Sequence, residues 1–343
     1  MINVAICGCG SIARLRHAPE FAENPDAKLV GFYDPVTERA GGLAARFGAV
    51  VYPSAEALLT DPSVDAVSIC TSNVYHCRYA LLAFEHGKHV LCEKPMAATV
   101  EEGESMVRAA KQAGKKLMIA ENQRLAPAHT KAREIIASGG IGKVLSFRTI
   151  FGHRGPEYWA VDKNRSTWFF DRGQAQFGSI GDLGIHKINV MRWMVGDEVE
   201  EVQAVLLTQD KRDAAGRPIT VDDNGAALLK FRNGVLGVLV TSWTYYGDED
   251  HSTVLFGTEG VLRIYDDPSF PVTVTTRSGE KAFYKLGGIP TNEVQFKTGI
   301  VDKFIECIVN DSAPFVTGED GLEDLKVVEA IAKASASGVR TRV

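Results

Sequence analysis

The sequence lacks several features that would place it in a specialised class of protein. Its six cysteines include no Cys-x-x-Cys pair, and Cys7, Cys70 and Cys92 lie inside apolar strand-like runs, where reduced thiols behave as small hydrophobic side chains. No apolar run approaches the roughly 18 residues that span a membrane. The first residues enter a strand pattern without the basic region of a signal peptide. We therefore expect a cytoplasmic protein without disulfides.

A dominant basic charge is also lacking. The chain has 38 Lys and Arg residues against 43 Asp and Glu residues, which gives a formal net charge of −5. No general field therefore exists to hold a phosphate backbone, and we expect neither a nucleic-acid nor a membrane partner. Apolar residues make up 45% of the chain, as in folded proteins. Its 343 residues favour two domains.

The first 120 residues alternate short apolar runs with helical patterns. The runs predict strands at 2–7, 29–33, 64–70, 88–92 and 117–120, with helices at 38–47, 75–85 and 99–113. Continuous apolar strands between helices are typical of a parallel sheet that is covered on both faces. We therefore predict a doubly wound (Rossmann) α/β domain over residues 1–122.

The pattern changes after Pro127. A helix is predicted at 182–195, and strands are predicted at 202–208, 226–231, 235–245, 253–256, 261–265 and 272–276. Asn233-Gly234 indicates a hairpin between two of these strands. Two helices, at 299–309 and 322–336, close the chain. Residues 123–343 are thus expected to form an α+β domain with an open, mostly antiparallel sheet.

A dinucleotide fingerprint follows the first strand. In Gly8-x-Gly10-x-x-Ala13, the first glycine permits a tight turn, the second lets the backbone approach a pyrophosphate, and the small third residue allows close packing. The helix that starts here, with Ser11 and Ile12, offers free N–H groups to the phosphates. Asp34 ends the second strand at 24 residues after Gly10, close to the roughly 20 expected. The combination predicts dinucleotide binding.

Asp34 also predicts which dinucleotide binds. A carboxylate accepts hydrogen bonds from the adenosine ribose hydroxyls, as in NAD sites, and repels a 2′-phosphate. Arg39 leaves the alternative open, because it either turns toward a phosphate or lies on a solvated helix face. We predict NAD as the cofactor, with NADP less favoured.

Several further motifs are similar to those of the glucose–fructose oxidoreductase/inositol dehydrogenase (Gfo/Idh/MocA) family. They are Asn73-x-x-His76, Gly87-Lys88-His89-Val90, Glu93-Lys94-Pro95 and the glycine-rich stretch 178–186 with its Asp182-x-x-x-His186. The resemblance covers nearly the whole chain. Fewer glycines precede Asp182 than is usual in the family, and this difference could change the shape of a sugar pocket. The resemblance implies a two-domain NAD(P)-dependent oxidoreductase.

The resemblance also implies roles for three residues. Lys94 matches the catalytic lysine, and Asp182 and His186 match the pair that handles the proton of the substrate hydroxyl. Lys94 follows a parallel strand at its carboxyl end, where ligands bind in such sheets. Asp182 and His186 are four residues apart on a predicted helix, so we expect the carboxylate to orient the imidazole. Lys94 would stabilise the developing alkoxide, and His186 would take the proton.

Other contacts follow from the resemblance and from the irregular segment 152–178. The cofactor would also meet Thr71, Asn73, His76, Glu93, Lys94 and Asn122, and the substrate would meet Arg124, His153, Trp168, Asp182 and His186. Aromatic faces beside charged groups suit a sugar ring, and the alternative is a loop that packs one domain against the other. A metal held by Asp182, His186 and His153 is not expected.

The leading prediction of function is hydride transfer between nicotinamide and a secondary alcohol or ketone of a sugar, cyclitol or related polyol. One alternative is a non-catalytic NAD(P)-sensing regulator of the same fold, and another is a dihydrodiol or biliverdin enzyme, against which the polar surroundings of His153 argue. The family often pairs through the open face of the second sheet. We therefore expect a homodimer or homotetramer, with residues 234–246, including Trp243, as a candidate part of the surface.

Overall fold

A parallel six-stranded sheet forms the first half of the molecule, as predicted. The structure is a computed structural model that describes residues 1–288 and 297–343. The strand order is β3-β2-β1-β4-β5-β6, and all pairings are parallel. The strands are β1 (Ile2–Cys7), β2 (Ala27–Tyr33), β3 (Val50–Val51), β4 (Ala66–Ile69), β5 (His89–Cys92) and β6 (Leu117–Ile119). The helices between them are α1 (Ala18–Glu23), α2 (Thr37–Phe47), α3 (Ala55–Thr60), α4 (His76–Glu85) and α5 (Val100–Ala113).

Local sequence explains where these helices begin and end. The Thr99 hydroxyl accepts a hydrogen bond from the Glu102 N–H and caps α5 at its start. Gly48 and Gly114 end α2 and α5 in the left-handed conformation, with φ of 68° and 62°, which glycine adopts without strain. Each helix therefore ends before the chain turns toward the next strand.

A nine-stranded mixed sheet forms the second half, and it confirms the predicted mostly antiparallel architecture. Its order is β14-β13-β12-β11-β7-β10-β9-β8-β15, and only the β7–β10 pair is parallel among the described strands. The strands are β7 (Val144–Gly152), β8 (Val199–Leu207), β9 (Asn224–Phe231), β10 (Leu236–Ser242), β11 (Thr253–Gly257), β12 (Gly260–Ile264), β13 (Val272–Thr276), β14 (Lys281–Tyr284) and β15 (Thr341–Arg342). The predicted hairpin joins β9 and β10.

Helices cover one face of this sheet. They are α6 (Pro127–Ala137), α8 (Ile185–Val195) and α10 (Gly318–Ser337), while α7 (Arg172–Ala175) lies in the long segment before α8. The opposite face carries exposed apolar side chains, among them Leu145, Leu228, Leu236 and Val238. Among the described residues, no helix is long and apolar enough to cross a membrane.

The chain returns to the first sheet near its end. Helix α9 (Ile300–Val309) falls in the predicted second domain, yet Ile300 and Phe304 share a buried core with Ile6 and Phe21 of the first. The carboxylate of Glu20, in α1, accepts hydrogen bonds from the backbone N–H groups of Thr298 and Val301. The boundary near residue 122 stays a prediction, but the packing of α9 crosses it.

Candidate active site

A cleft opens where the loops after the parallel strands meet the face of α8. The residues that line it come from both halves of the described chain. Most of the residues predicted for the site lie there, namely Gly8, Gly10, Ser11, Ile12, Asp34, Thr71, Asn73, Glu93, Lys94, Asn122, His153, Trp168, Asp182 and His186. The carboxyl ends of β1, β2, β4, β5 and β6 place the first ten of these at one edge of the sheet.

The fingerprint end of the cleft fits a dinucleotide. Gly8 has φ of 94°, and a Cβ at this position would lie 2.5 Å from the Cys70 carbonyl oxygen. A Cβ on Gly10 would meet nothing within 4 Å, so its backbone is open to a ligand on the cleft side. Asp34 is held by the N–H groups of Cys9 and Val36, at 2.7 and 2.9 Å from its two carboxylate oxygens. The Thr71 hydroxyl is buried and has no protein partner, as a group that awaits a ligand would be.

Lys94 and Asp182 form a buried ion pair at the centre of the cleft. Lys94 Nζ lies 2.7 Å from Asp182 Oδ1 and 3.0 Å from the Asp182 carbonyl oxygen. Burial acts to lower the pKa of Lys94, but the carboxylates of Asp182 and Glu93 outweigh it and raise the pKa. Burial acts to raise the pKa of Asp182, and the Lys94 ammonium reverses that effect. Both groups are therefore charged at neutral pH.

The expected partnership of Asp182 with His186 is wrong. Asp182 accepts its second hydrogen bond from Trp243 Nε1, at 3.2 Å. Residues 180–184 form a π-helical turn ahead of α8. The prediction had assumed α-helical spacing, and the wider turn directs the Asp182 carboxylate to Lys94.

Glu121 holds the imidazole of His186 instead. Its Oε2 lies 2.5 Å from His186 Nδ1, and the carboxylate is almost wholly buried. Glu121 follows β6 at its carboxyl end, so an acidic residue at a strand end was the signal available in the sequence. The same sequence reasoning missed the buried position of Trp243, which is fully enclosed and cannot belong to a pairing surface.

Histidines and aromatic rings form the other end of the cleft. Burial lowers the pKa of His153 to about 4 and also lowers the pKa of His251, although Glu249 opposes the shift in both. His251 Nε2 lies 2.9 Å from a Glu249 carboxylate oxygen. Trp168 stacks on Phe169 with ring centroids 3.9 Å apart. Among the described residues, no group of three or more His, Cys, Asp or Glu side chains is arranged to hold a metal ion.

Several polar atoms at this end are buried without a protein partner. They are His153 Nε2, His251 Nδ1, Trp159 Nε1 and Thr167 Oγ1, and all four residues line the cleft. Buried polar atoms are rarely left unpaired in folded proteins, since each unmade hydrogen bond costs about 1–3 kcal/mol. The set therefore leaves several hydrogen-bonding atoms available to a polar ligand in the cleft.

The segment 152–178 both lines the cleft and packs on the first half of the molecule. Ser11 Oγ donates to the Trp159 carbonyl at 3.1 Å, and Asn73 Nδ2 donates to the Ala175 carbonyl at 2.8 Å. The interpretation as a segment that packs the two halves together is thus seen in the structure, whereas the interpretation as a sugar-binding segment stays a prediction. Residues 159–162 lie across the cleft from the fingerprint glycines as a result.

Three predicted residues do not line the cleft. Ala13 is fully buried and packs in the core under the fingerprint, as its small size had suggested. His76 is fully buried, with its ring nitrogens 2.8 and 3.1 Å from the carbonyl oxygens of Pro95 and Thr71. Arg124 is turned away from the cleft and donates to Asn189 at 2.7 Å. Their burial in backbone and helix contacts corrects the prediction that His76 touches the cofactor and Arg124 the substrate.

Fold and cleft together define an oxidoreductase with a dinucleotide-binding domain and a substrate-facing sheet domain. The model of the oxidoreductase family with an NAD-binding Rossmann fold matches residues 2–121, and that of the GFO/IDH/MocA C-terminal domain matches residues 129–263. The chain belongs to the GFO/IDH/MocA family.

Named relatives in this family act on sugars. Levoglucosan dehydrogenase of Pseudarthrobacter phenanthrenivorans is 34% identical over 258 residues, which cover 69% of this chain and 64% of that protein. D-xylose 1-dehydrogenase (NADP+) of Haloarcula marismortui is 28% identical over 277 residues, which cover 79% of this chain and 72% of that protein. A solved levoglucosan dehydrogenase in complex with NADH and levoglucosan has a TM-score of 0.87 at 26% identity, and the match covers 100% of this chain and 99% of that one.

Proposed function

We propose that the protein is an NAD-dependent dehydrogenase of one secondary alcohol in a sugar, cyclitol or related polyol. The observation that carries the proposal is the cleft itself, in which the Lys94–Asp182 pair lies between the fingerprint glycines and the unpartnered polar atoms. The names of the relatives support a sugar hydroxyl as the reacting group.

Four side chains of the candidate site have separate roles in the oxidation of the alcohol. The nicotinamide, when bound, supplies the acceptor for hydride. Lys94 donates a hydrogen bond to the substrate oxygen and stabilises the negative charge that develops on it. His186 takes the hydroxyl proton on Nε2, while Glu121 fixes the tautomer through Nδ1 and stabilises the imidazolium. Asp182 keeps Lys94 protonated and aims its ammonium group.

The histidine and tryptophan end of the cleft selects for a polyhydroxylated ligand. A sugar hydroxyl both donates and accepts, so it matches the Trp159 N–H, which only donates, as well as the ring nitrogens of His153 and His251. The stacked rings of Trp168 and Phe169 offer a flat apolar surface to the face of a sugar ring. An apolar dihydrodiol or a biliverdin would leave these polar atoms unpaired.

The preference for NAD rests on Asp34. Its buried carboxylate lies at the cofactor end of the cleft, where it suits ribose hydroxyls and repels a 2′-phosphate. The NADP+ in the name of the xylose dehydrogenase means that family membership alone does not choose between the cofactors. Asp34 is therefore the residue on which the proposal depends.

The free face of the second sheet supports a homodimer or homotetramer. Leu145, Leu228 and Leu236 are about half exposed on strands β7, β9 and β10, which lie next to one another. A patch of this kind is an aggregation hazard unless a partner covers it. Light scattering that shows a monomer at micromolar concentration would contradict the assembly.

The six buried, free cysteines support a reducing, cytoplasmic location.

A panel of sugars and cyclitols with NAD+ and NADP+ tests the activity, with formation of the reduced cofactor as the signal. We expect turnover with NAD+ and at least one neutral sugar or cyclitol, and a loss on the order of 10²–10⁴ in rate for Lys94→Ala and for His186→Ala. NADH binding should survive both substitutions, because the fingerprint residues hold the cofactor. If both variants turned over like the native enzyme, the assignment of the catalytic set would be wrong. If the native protein bound NADH but oxidised no member of a broad panel, the regulator alternative would replace the proposal.

A further inference from the structure

An ion pair crosses the cleft at its cofactor end. Arg39, in α2, places one guanidinium nitrogen 2.7 Å from each carboxylate oxygen of Asp162, which belongs to the segment 152–178. The other terminal nitrogen of Arg39 lies 3.8 Å from Asp34 Oδ1. All three residues line the cleft. The guanidinium of Arg39 therefore lies between two carboxylates, one from each half of the molecule.

This arrangement affects Arg39, the residue that would otherwise favour binding of a phosphate. Both oxygens of Asp34 already accept backbone N–H groups, so Asp34 does not need Arg39 as a partner. An arginine beside the acid at the end of β2 is well placed for a ribose 2′-phosphate, which guanidinium groups bind strongly. Asp162 occupies that guanidinium and adds a second negative charge at the same place. The formal charges of Asp34, Arg39 and Asp162 sum to −1. Those of Asp34 and Arg39 alone sum to 0.

The backbone near Asp162 is held against the fingerprint loop. Ser11, next to the fingerprint glycine Gly10, donates its hydroxyl to the Trp159 carbonyl at 3.1 Å. Trp159 precedes Asp162 by three residues, so the contact that closes the segment over the fingerprint also delivers the carboxylate to Arg39. The pairing is thus part of how the two halves meet at the cleft.

We propose that Asp162 is a specificity-determining residue for the cofactor, which withholds Arg39 from the 2′-phosphate of NADP. The inference rests on the proposed NAD-dependent function and extends it, because it assigns part of the choice of cofactor to a residue outside the dinucleotide-binding fold. Asp34 and Asp162 then act together. Asp34 repels the 2′-phosphate, and Asp162 forms an ion pair with the Arg39 guanidinium.

The test is direct binding of NADH and NADPH, without any sugar, to the native protein and to Asp162→Asn. We expect the variant to bind NADPH about tenfold more tightly, as a charge-assisted arginine–phosphate contact becomes available. NADH affinity should change by less than about threefold, since no 2′-phosphate is present to use the freed arginine. The double variant Asp162→Asn/Arg39→Ala should lose the gain. Glu104→Gln, which removes an exposed charge that does not line the cleft, should change neither affinity.

The outcomes separate this inference from the proposed function. An unchanged NADPH affinity in Asp162→Asn, with native NADH binding, would overturn the inference and leave the dehydrogenase proposal in place. A gain that persists without Arg39 would also overturn it, because simple charge repulsion by Asp162 would then explain the effect. A large loss of NADH affinity in Asp162→Asn and in Asp162→Ser would make Asp162 a closure contact rather than a specificity residue. A native protein that binds neither cofactor would overturn the proposed function itself.

Discussion

Replacing Asp182 by Asn tests whether Asp182 acts on Lys94 or on His186. The structure assigns it to Lys94, with 2.7 Å between the charged atoms and side chains that are only 15% and 7% exposed. The substitution cannot be accommodated by turning the amide. Whichever way the group faces, its NH2 points at a donor, either the Lys94 ammonium or the Trp243 N–H. The variant therefore keeps the shape of the site and loses the pair.

The size of the effect follows from the geometry. At an effective dielectric constant of about 20, Coulomb's law gives roughly 6 kcal/mol for unit charges 2.7 Å apart. Desolvation of the two groups offsets much of that attraction, so a coupling free energy on the order of 2–3 kcal/mol is expected for the pair. Asp182→Asn should then lower turnover nearly as far as Lys94→Met does, because each leaves the substrate oxygen without a well-placed ammonium group.

The assay is a double-mutant cycle on kcat/KM with a substrate found in the sugar panel. We expect the double variant Lys94→Met/Asp182→Asn to be no slower than Lys94→Met alone, since both changes remove the same interaction. If instead the two losses multiplied, Asp182 would act through a different partner, and our account of the pair would be refuted. Unfolding of the four proteins in denaturant gives a second readout. The double variant should be destabilised by less than the sum of the two single variants.

Three further predictions concern residues in other parts of the molecule. Glu121→Gln should lower kcat on the order of 10- to 100-fold with little change in KM, because it weakens a buried hydrogen bond that orients His186, and steady-state kinetics check it. Gly10→Ala should abolish NADH binding, seen by titration, yet leave the melting temperature unchanged, since the added methyl group meets no protein atom within 4 Å. Burial lowers the pKa of Lys187 to about 7, so between about pH 7 and pH 10 the unfolded chain binds the extra proton and stability rises with pH. Lys187→Met removes this titration but also the hydrogen bond to the His251 carbonyl, so melting temperatures measured from pH 6 to pH 10 should rise less steeply with pH in the variant than in the native protein.

The first sheet and its cofactor residues were predictable because their signals are local. Gly8, Gly10 and Ala13 lie within six residues, and most of the parallel strands are short, largely apolar runs. The short strands β3 and β14 were missed, since two or three apolar residues in a row give too weak a pattern to predict a strand. The sequence also does not show which of the two sheets α9 packs against. A helix with one apolar stripe shows the same pattern whichever sheet it packs against.

The sequence predicted which residues belong to the candidate site better than it predicted which of them contact each other. Lys94, Asp182 and His186 were found from motifs, but the pairing of His186 with Glu121 joins residues 65 positions apart. The prediction paired Asp182 with His186 on α-helical spacing, and a single π-helical turn was enough to change that. Arg39 and Asp162 are 123 residues apart, and neither belongs to a recognisable motif. Contacts of this kind are set by how the two halves pack together, which short-range patterns do not encode.

The return of α9 to the first sheet limits how far this enzyme can be treated as two exchangeable modules. A fragment cut after residue 122 would expose the core that Ile300 and Phe304 fill around Ile6 and Phe21. A chimaera that grafts a new sugar-binding half onto this cofactor domain must therefore keep the segment around 298–309 with its native partner, although it is encoded far downstream. The unit of recombination in this fold is discontinuous in sequence. A single crossover near residue 122 should give an unstable hybrid, whereas two crossovers that return α9 to its own sheet should give a folded one.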